Sequence, residues 1–213
     1  MFANRLEAAG QMADELLRYH ATHPLVLGIP RGGVVMAGVI AERLGGDVDV
    51  VLVRKIGAPG QPEFAVGSVA EDGQLYQGNA VAQLGLSASY LQQECRKQLA
   101  LLRQRRALYT PVRPPISPAG RVVIVVDDGL ATGATMVAAL HAVRARRPER
   151  LIAAVAVAPA DTLEKVEALA DEVICLAVPE PFYAVGQFFS DFSQIEDEEV
   201  VAVLRRFGPA PAS

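Results

Sequence analysis

The feature that most constrains this chain is the segment at residues 122–135, which reads VVIVVDDGLATGAT. Its apolar start is an unbroken β-branched run, typical of a strand that is buried on both faces of a parallel sheet. Asp127 and Asp128 follow, then a loop of small and hydroxyl residues. Ligands of open α/β sheets bind at the carboxyl ends of strands, and the start of the next helix offers unpaired N–H groups to an anion. The segment therefore predicts an anion site beside two carboxylates, which suits a sugar phosphate.

Strand and helix patterns alternate around this segment. Short apolar runs predict strands at 25–29, 48–53, 122–126, 151–157 and 173–178, and helical spacing predicts helices at 34–44, 136–146 and 162–170. A strand, a helix and a second strand in succession form the βαβ unit, which builds parallel sheets. We therefore expect an α/β fold with a mostly parallel sheet flanked by helices on both faces.

Composition narrows the class of protein. A hydrophobic content of 51% with 21% charged residues indicates a globular chain. The formal net charge of −4 gives no reason to expect nucleic-acid binding. Cys95 and Cys175 lack metal-ligand spacing and are typical of reduced intracellular thiols. Because no apolar run approaches the roughly 20 residues of a membrane span, we expect a cytoplasmic protein with no membrane partner.

The segment at 122–135 resembles the motif with which type I phosphoribosyltransferases bind phosphoribosyl pyrophosphate (PRPP). The resemblance implies a Rossmann-like core in which Asp127 and Asp128 hold the ribose hydroxyls of PRPP. It also implies that a loop wraps the 5′-phosphate, and the loop residues are Gly129, Ala131, Thr132, Gly133, Ala134 and Thr135. The implied reaction transfers 5-phosphoribosyl from PRPP to a small nitrogenous base and releases pyrophosphate. Mg²⁺ would be held by PRPP and water near the two aspartates, with no all-protein metal site.

Two further segments resemble parts of the same site. The pyrophosphate loop of the family is matched, after the first predicted strand, by Pro30, Arg31, Gly32 and Gly33. Arg54 and Lys55, after the second predicted strand, resemble the Arg-Lys pair of adenine-type members. The resemblance implies that Arg31, Arg54 and Lys55 are catalytic cations that stabilise the departing pyrophosphate. With these blocks the chain is most similar to an uncharacterised bacterial branch of the family.

The remaining segments differ in composition from the core. Glycine-rich residues 57–78 predict a mobile loop or hairpin, and 87–109 predict a basic helix that packs on the core or contacts a partner. The aromatic residues at 182–192 are compatible with a hood that covers the site or with a plain hydrophobic cluster. We expect a single domain, 1–213, with its core at about 21–55 and 120–179. A flexible loop and helical insertion is expected at about 56–119. A hood is expected at about 180–207, and the helix at 4–20 is a candidate addition to it.

The sequence leaves the acceptor open. Hypoxanthine-guanine members of the family carry an aspartate where this chain has Ala131, which disfavours a 6-oxopurine acceptor. A PRPP-sensing regulator without catalysis is the main alternative, and a phosphoribosyl hydrolase is a weaker one. The three cations favour the enzyme, since a sensor need not stabilise a leaving group. Dimers are common in the family, so a homodimer is compatible with the resemblance.

Overall fold

Strands and helices alternate along the chain in the structure, a computed structural model that describes residues 1–78 and 80–208, with the backbone alone of residues 62 and 63. The strands are β1 (Leu25–Gly28), β2 (Asp47–Val50), β3 (Val53–Ala58), β4 (Gln61–Ala70), β5 (Leu75–Gln77), β6 (Val122–Gly129), β7 (Arg150–Val157) and β8 (Glu172–Ala177). The α-helices are α1 (Arg5–Glu15), α2 (Gly32–Leu44), α3 (Ala80–Gln83), α4 (Ala88–Tyr109), α5 (Ala134–Ala145), α6 (Ala160–Glu167) and α7 (Asp197–Arg206). Within this described part of the chain, no helix is long and apolar enough to cross a membrane.

A five-stranded parallel sheet, in the order β2-β1-β6-β7-β8, forms the centre of the molecule. Along β6, Ile124 packs into the hydrophobic cluster that includes α1, α2 and α7, whereas Val123 and Val125 pack into the cluster of α5 and α6. Burial on both faces is the reason that β6 is apolar without alternation. The prediction of an α/β fold with a parallel sheet between two layers of helices is confirmed.

The middle strand, β6, is longer than the sequence predicted. The prediction ended the strand at residue 126, whereas the structure continues it through Asp127, Asp128 and Gly129. Asp127 and Gly129 still pair with β7, opposite Val155 and Val157. The two carboxylates are therefore held by a strand in the middle of the sheet and not by a loop.

The glycine-rich segment forms a second sheet, which is antiparallel and has the order β3-β4-β5. The hairpin expected at 57–78 is thus present and gains a third strand. The glycines hid the strand pattern in the sequence, although at least one of them is needed for the two backbones to come close. A Cβ added at Gly67 would lie 2.5 Å from the carbonyl oxygen of Tyr76.

The predicted strand at 48–53 is wrong in its extent. β2 ends at Val50 in the parallel sheet, and β3 begins at Val53 in the antiparallel one. Arg54 and Lys55 therefore lie inside the first strand of the second sheet, and not at the carboxyl end of a parallel strand. The continuous apolar run gives no sign of this break, because residues on either side of it are buried.

The N-terminal residues pair with the aromatic segment at 182–192. The backbone N–H of Phe2 donates to the carbonyl of Phe188 at 2.8 Å, and the N–H of Ser190 donates to the carbonyl of Phe2 at 2.8 Å. The rings of Phe2 and Phe189 lie 5.5 Å apart, and those of Phe189 and Phe192 lie 5.0 Å apart. The start of α1 and the aromatic segment therefore form one unit.

A cluster of charges attaches α4 to both sheets. The guanidinium of Arg106 donates to Glu71 at 2.6 Å, to Asp49 at 3.0 Å and to the carbonyl of Val50 at 3.2 Å. Asp49 is buried, so its pairing with a fixed cation avoids the cost of an isolated charge in the interior. These contacts hold α4 close to the ends of the strands that carry the candidate site.

Candidate functional site

The pyrophosphate-loop candidate lies directly beside the two carboxylates of β6. Gly28 at the end of β1 is the partner of Val126 in β6, and the N–H of Ile29 donates to the carbonyl of Val126 at 2.9 Å. The loop then turns into α2, and its Pro30–Arg31 peptide bond is cis. A Cβ added at Gly33 would lie 2.4 Å from the Val126 carbonyl oxygen. Glycine is therefore required for the loop to approach β6 this closely.

Asp127 and Asp128 lie at the carboxyl edge of the sheet and are both partly buried. The N–H of Asp128 donates to Oδ1 of Asp127 at 2.9 Å, and Nε of Arg5 donates to Oδ2 of Asp128 at 2.8 Å. Burial, together with the adjacent Asp128, raises the pKa of Asp127 well above its ordinary value. Burial also raises the pKa of Asp128, although the Arg5 guanidinium opposes that rise. The pair offers carboxylate oxygens that a donor can bind at the edge of the sheet.

The phosphate-loop candidate leads into the start of α5. Gly133 has a positive φ of 72°, and a Cβ placed there would lie 2.7 Å from the Thr162 side chain. Thr162 also donates its hydroxyl to the carbonyl of Ala131 at 3.0 Å, which holds the loop against α6. Thr132 and Thr135 are exposed. The first N–H groups of α5 and these hydroxyls can together bind an anion.

Two adjoining clefts lie beside the phosphate-loop candidate, and neither Asp127 nor Asp128 is among the residues that line them. The larger, about 760 Å³, is lined by Arg54 and Lys55 of β3 and by Thr132, Ala134 and Thr135 of the phosphate loop. The smaller, about 390 Å³, shares Arg54 and Thr135 with it and also reaches Pro30. Their volumes lie in the range of small-molecule sites. The structure thus brings the cations of β3 to the phosphate-loop candidate, although the two segments lie far apart in sequence.

Helix α4 forms a wall of both clefts, which the sequence did not predict. Leu101, Arg105 and Leu108 line the smaller cleft, and Tyr90 and Gln98 line the larger one. The prediction for this helix was packing on the core or contact with a partner. The stripe formed by residues 101, 105 and 108 is visible in the sequence, but nothing local shows that it faces a ligand site.

Arg54 and Arg31 both contact other side chains. Nε of Arg54 donates to Oε1 of Gln98 at 2.6 Å. Nη1 of Arg31 lies 2.9 Å from Oε2 of Glu196, just before α7, and Arg31 is not among the residues that line either cleft. Glu196 is the residue before the first turn of α7, so this ion pair joins the pyrophosphate-loop candidate to the start of that helix. Arg31 must turn toward the clefts if it is to bind an anion there, because it lines neither of them in this structure.

Comparison with known proteins places the chain in a family. A family model described as phosphoribosyl transferase domain matches residues 3–192. Relatives from two strains of Mycobacterium tuberculosis, provisionally named phosphoribosyl transferases, are 41% identical over 207 residues, which cover 97% of this chain and 47% of theirs. The chain therefore spans about half the length of the curated relatives it matches. The crystal structure of TT1426 from Thermus thermophilus has a TM-score of 0.90 and 46% identity, over 98% of this chain and 99% of that one. On this evidence the chain belongs to the phosphoribosyl transferase domain family, as its resemblance to the type I enzymes implied.

Proposed function

We propose that this chain transfers the 5-phosphoribosyl group of PRPP to a nitrogenous base and releases pyrophosphate, with Mg²⁺ bound to PRPP. The observation that carries the proposal is the convergence, at one edge of the sheet, of a carboxylate pair, an anion-binding helix start and two cations. Each matches one part of PRPP: the ribose diol, the 5′-phosphate and the pyrophosphate.

The substrate fits this edge in one orientation. The ribose hydroxyls donate to Asp127 and Asp128, while the 5′-phosphate accepts from the loop at 129–135 and the first turn of α5. The pyrophosphate then extends toward the loop at 30–33 and toward Arg54 and Lys55. Support comes from the backbone contact of Ile29 with Val126, which puts the pyrophosphate loop next to the carboxylates.

The reaction forms a bond from the acceptor nitrogen to C1 of the ribose and breaks the bond from C1 to the pyrophosphate oxygen. The bonding electrons leave with pyrophosphate, so negative charge grows on that group while positive charge grows on the ribose. Arg31, Arg54 and Lys55 stabilise the first charge, and the carboxylates hold the sugar in place.

Mg²⁺, when bound with PRPP, supplies further neutralisation of the pyrophosphate. Among the described residues, no group of three or more His, Cys, Asp or Glu side chains is placed to hold a metal ion. Asp128 is already engaged by Arg5, and Asp127 accepts from the backbone. This donor set fits an ion that takes its ligands mainly from substrate and water.

The acceptor is proposed to be a base other than a 6-oxopurine. Ala131 stands where 6-oxopurine members of the family have an aspartate, and a methyl side chain cannot exchange a proton with the base. We further propose that residues 180–207 act as the hood, together with α1. The backbone pairing of Phe2 with Phe188 and Ser190 supports the inclusion of α1.

One observation favours a second candidate, a PRPP-binding regulator without catalysis. Arg31 is paired with Glu196, so the cation of the pyrophosphate loop already has an acidic partner within the chain. A protein that only binds PRPP could retain that pair unchanged, whereas an enzyme needs the guanidinium at the departing pyrophosphate.

Pyrophosphate release separates the two candidates. The protein is mixed with PRPP and Mg²⁺, and release is followed with adenine, uracil, nicotinamide and hypoxanthine in turn, beside a calorimetric titration of PRPP. We expect PRPP binding and release that depends on one base, with hypoxanthine inactive. Tight binding without release for any base would support the regulator, and release with no base present would support a hydrolase. Absence of PRPP binding would contradict all three.

A further inference from the structure

Arg5 connects the candidate ribose site to the aromatic segment near the C-terminus. It is the first residue of α1, and its Nε donates to Oδ2 of Asp128 at 2.8 Å. Its Nη1 donates to the carbonyl of Ser193 at 2.7 Å, and its guanidinium lies 3.8 Å from the centre of the Phe192 ring. One side chain therefore contacts β6 and the end of the aromatic segment at the same time.

The contact also involves the pyrophosphate-loop candidate. A Cβ added at Gly32 would lie 2.4 Å from Oδ2 of Asp128 and 2.8 Å from Nε of Arg5. Three segments that are distant in sequence thus meet in one place with no room for another side chain. The orientation of the Asp128 carboxylate depends on this packing, because Arg5 supplies its charged hydrogen bond.

The geometry leaves Asp128 able to bind a ligand. Arg5 occupies Oδ2 through a single N–H, while a carboxylate can accept about four hydrogen bonds. The backbone N–H groups of Asp128 and Gly129 also interact with this carboxylate, which leaves at least one position for a ribose hydroxyl. The Arg5 side chain is only 11% exposed, so solvent screens the pair weakly. Arg5 therefore fixes and compensates the acid without blocking it.

We propose that Arg5 is a positioning residue for PRPP, which holds Asp128 in the orientation that accepts a ribose hydroxyl and makes that orientation depend on the docked aromatic segment. This inference rests on the proposed function, since it assigns Asp128 to the ribose. Arg5 itself does not touch the reacting atoms. Its contribution is to affinity for PRPP and not to the chemical step.

The test is a calorimetric titration of PRPP with Mg²⁺ for wild type, Arg5→Met and Arg5→Lys. Arg5→Met is expected to weaken PRPP binding by roughly tenfold to a hundredfold, the loss seen when residues that orient the ligands of a metal site are removed. Arg5→Lys should recover part of the affinity, because an ammonium can reach Asp128 but lacks the planar fork that also reaches Ser193. Titrations are run well below each thermal midpoint, so that only folded protein is compared.

Arg43→Met is the matched control. Arg43 forms an exposed ion pair with Asp14 and so joins α2 to α1 without contact to the site. Its removal should leave PRPP affinity unchanged, which separates positioning of Asp128 from general docking of α1. In an Asp128→Asn background, Arg5→Met should cause little further loss, because the two residues act as one unit.

Several outcomes would overturn the inference. Wild-type affinity in Arg5→Met would show that Asp128 needs no positioning, and tighter binding would show that Arg5 competes with the ribose. Additive losses in the Asp128→Asn background would show that Arg5 acts elsewhere. In each case wild type still binds PRPP and the proposed function stands. Failure of wild type to bind PRPP would instead remove the proposed function and this inference together.

Discussion

Asp127→Asn combined with Asp128→Asn is expected to weaken PRPP binding by about 10²–10⁴-fold. Each hydrogen bond from a ribose hydroxyl to a carboxylate contributes roughly 1.5–3 kcal/mol, and about 1.4 kcal/mol corresponds to a factor of ten in affinity. The amide keeps the shape of the carboxylate but lacks its charge and presents two donors in place of one acceptor oxygen. Calorimetric titration with PRPP and Mg²⁺ measures the loss. Affinity within about threefold of wild type, a difference of under ~1 kcal/mol, would show that the diol binds elsewhere.

The raised pKa of Asp127 predicts how substitution of this residue changes the stability of the fold. Burial and the neighbouring Asp128 raise that pKa in the folded chain, so between the unfolded and the folded values the native state holds the extra proton. The free energy of unfolding therefore falls as pH rises through this window, and the ionised carboxylate is a cost at neutral pH. An asparagine in place of Asp127 would carry no charge, while its side-chain oxygen could still accept from the Asp128 N–H, which lies 2.9 Å from Oδ1 of the native aspartate.

Asp127→Asn alone is thus expected to raise the thermal midpoint at pH 7 to 8. The gain should disappear below about pH 4, where the unfolded chain is protonated as well. Loss of PRPP binding together with a raised midpoint identifies Asp127 as a functional residue whose charge costs stability. A lowered midpoint at neutral pH would instead mean that the carboxylate has a structural role.

Arg31→Ala is expected to slow turnover by about 10²–10³-fold, a loss typical of removing one group that stabilises transition-state charge. PRPP affinity should change much less, because the charge on pyrophosphate grows only as the bond to C1 breaks. Lys55→Ala is expected to act in the same direction, since Lys55 lines the larger cleft. Turnover is measured as pyrophosphate release with the acceptor that the base panel identifies, and affinity by calorimetry.

Arg96→Ala is the control for both substitutions. Arg96 is exposed on α4 and lines neither cleft, so its removal changes net charge equally without altering the site. It should leave turnover and affinity unchanged. If Arg31→Ala lost as much PRPP affinity as turnover, the guanidinium would act on the ground state only. If Arg31→Ala left both unchanged, the pair with Glu196 would be its whole role.

Much of the fold was predictable because its signals are local. The runs at 25–28 and 151–157 are apolar on both faces, which marks buried parallel strands before any contact is known. The motif at 122–135 is also local, since a strand end, a turn at Gly133 and a helix start are consecutive in the chain. The pyrophosphate loop lies beside this motif because β1 and β6 are neighbouring parallel strands, which end at the same edge of the sheet.

The rest of the site depends on contacts between distant residues. Arg5 meets Asp128 across 123 positions, and Arg31 meets Glu196 across 165, so no spacing rule could reveal either pair. The change of sheet between Val50 and Val53 lies within one apolar run, where hydrophobicity is the same on both sides. The sequence also did not reveal that α4 forms a wall of the clefts. The position of this helix is set by the contacts of Arg106 with residues that are distant in sequence.

A crystal structure of the protein with PRPP and Mg²⁺ is the decisive measurement for the proposed site. We expect the ribose hydroxyls to lie within about 2.7–3.2 Å of the carboxylate oxygens of Asp127 and Asp128. We also expect the 5′-phosphate at the start of α5, and the pyrophosphate between residues 30–33 and the side chains of Arg54 and Lys55. PRPP bound with its ribose away from both aspartates, or outside the two clefts, would contradict the proposed site.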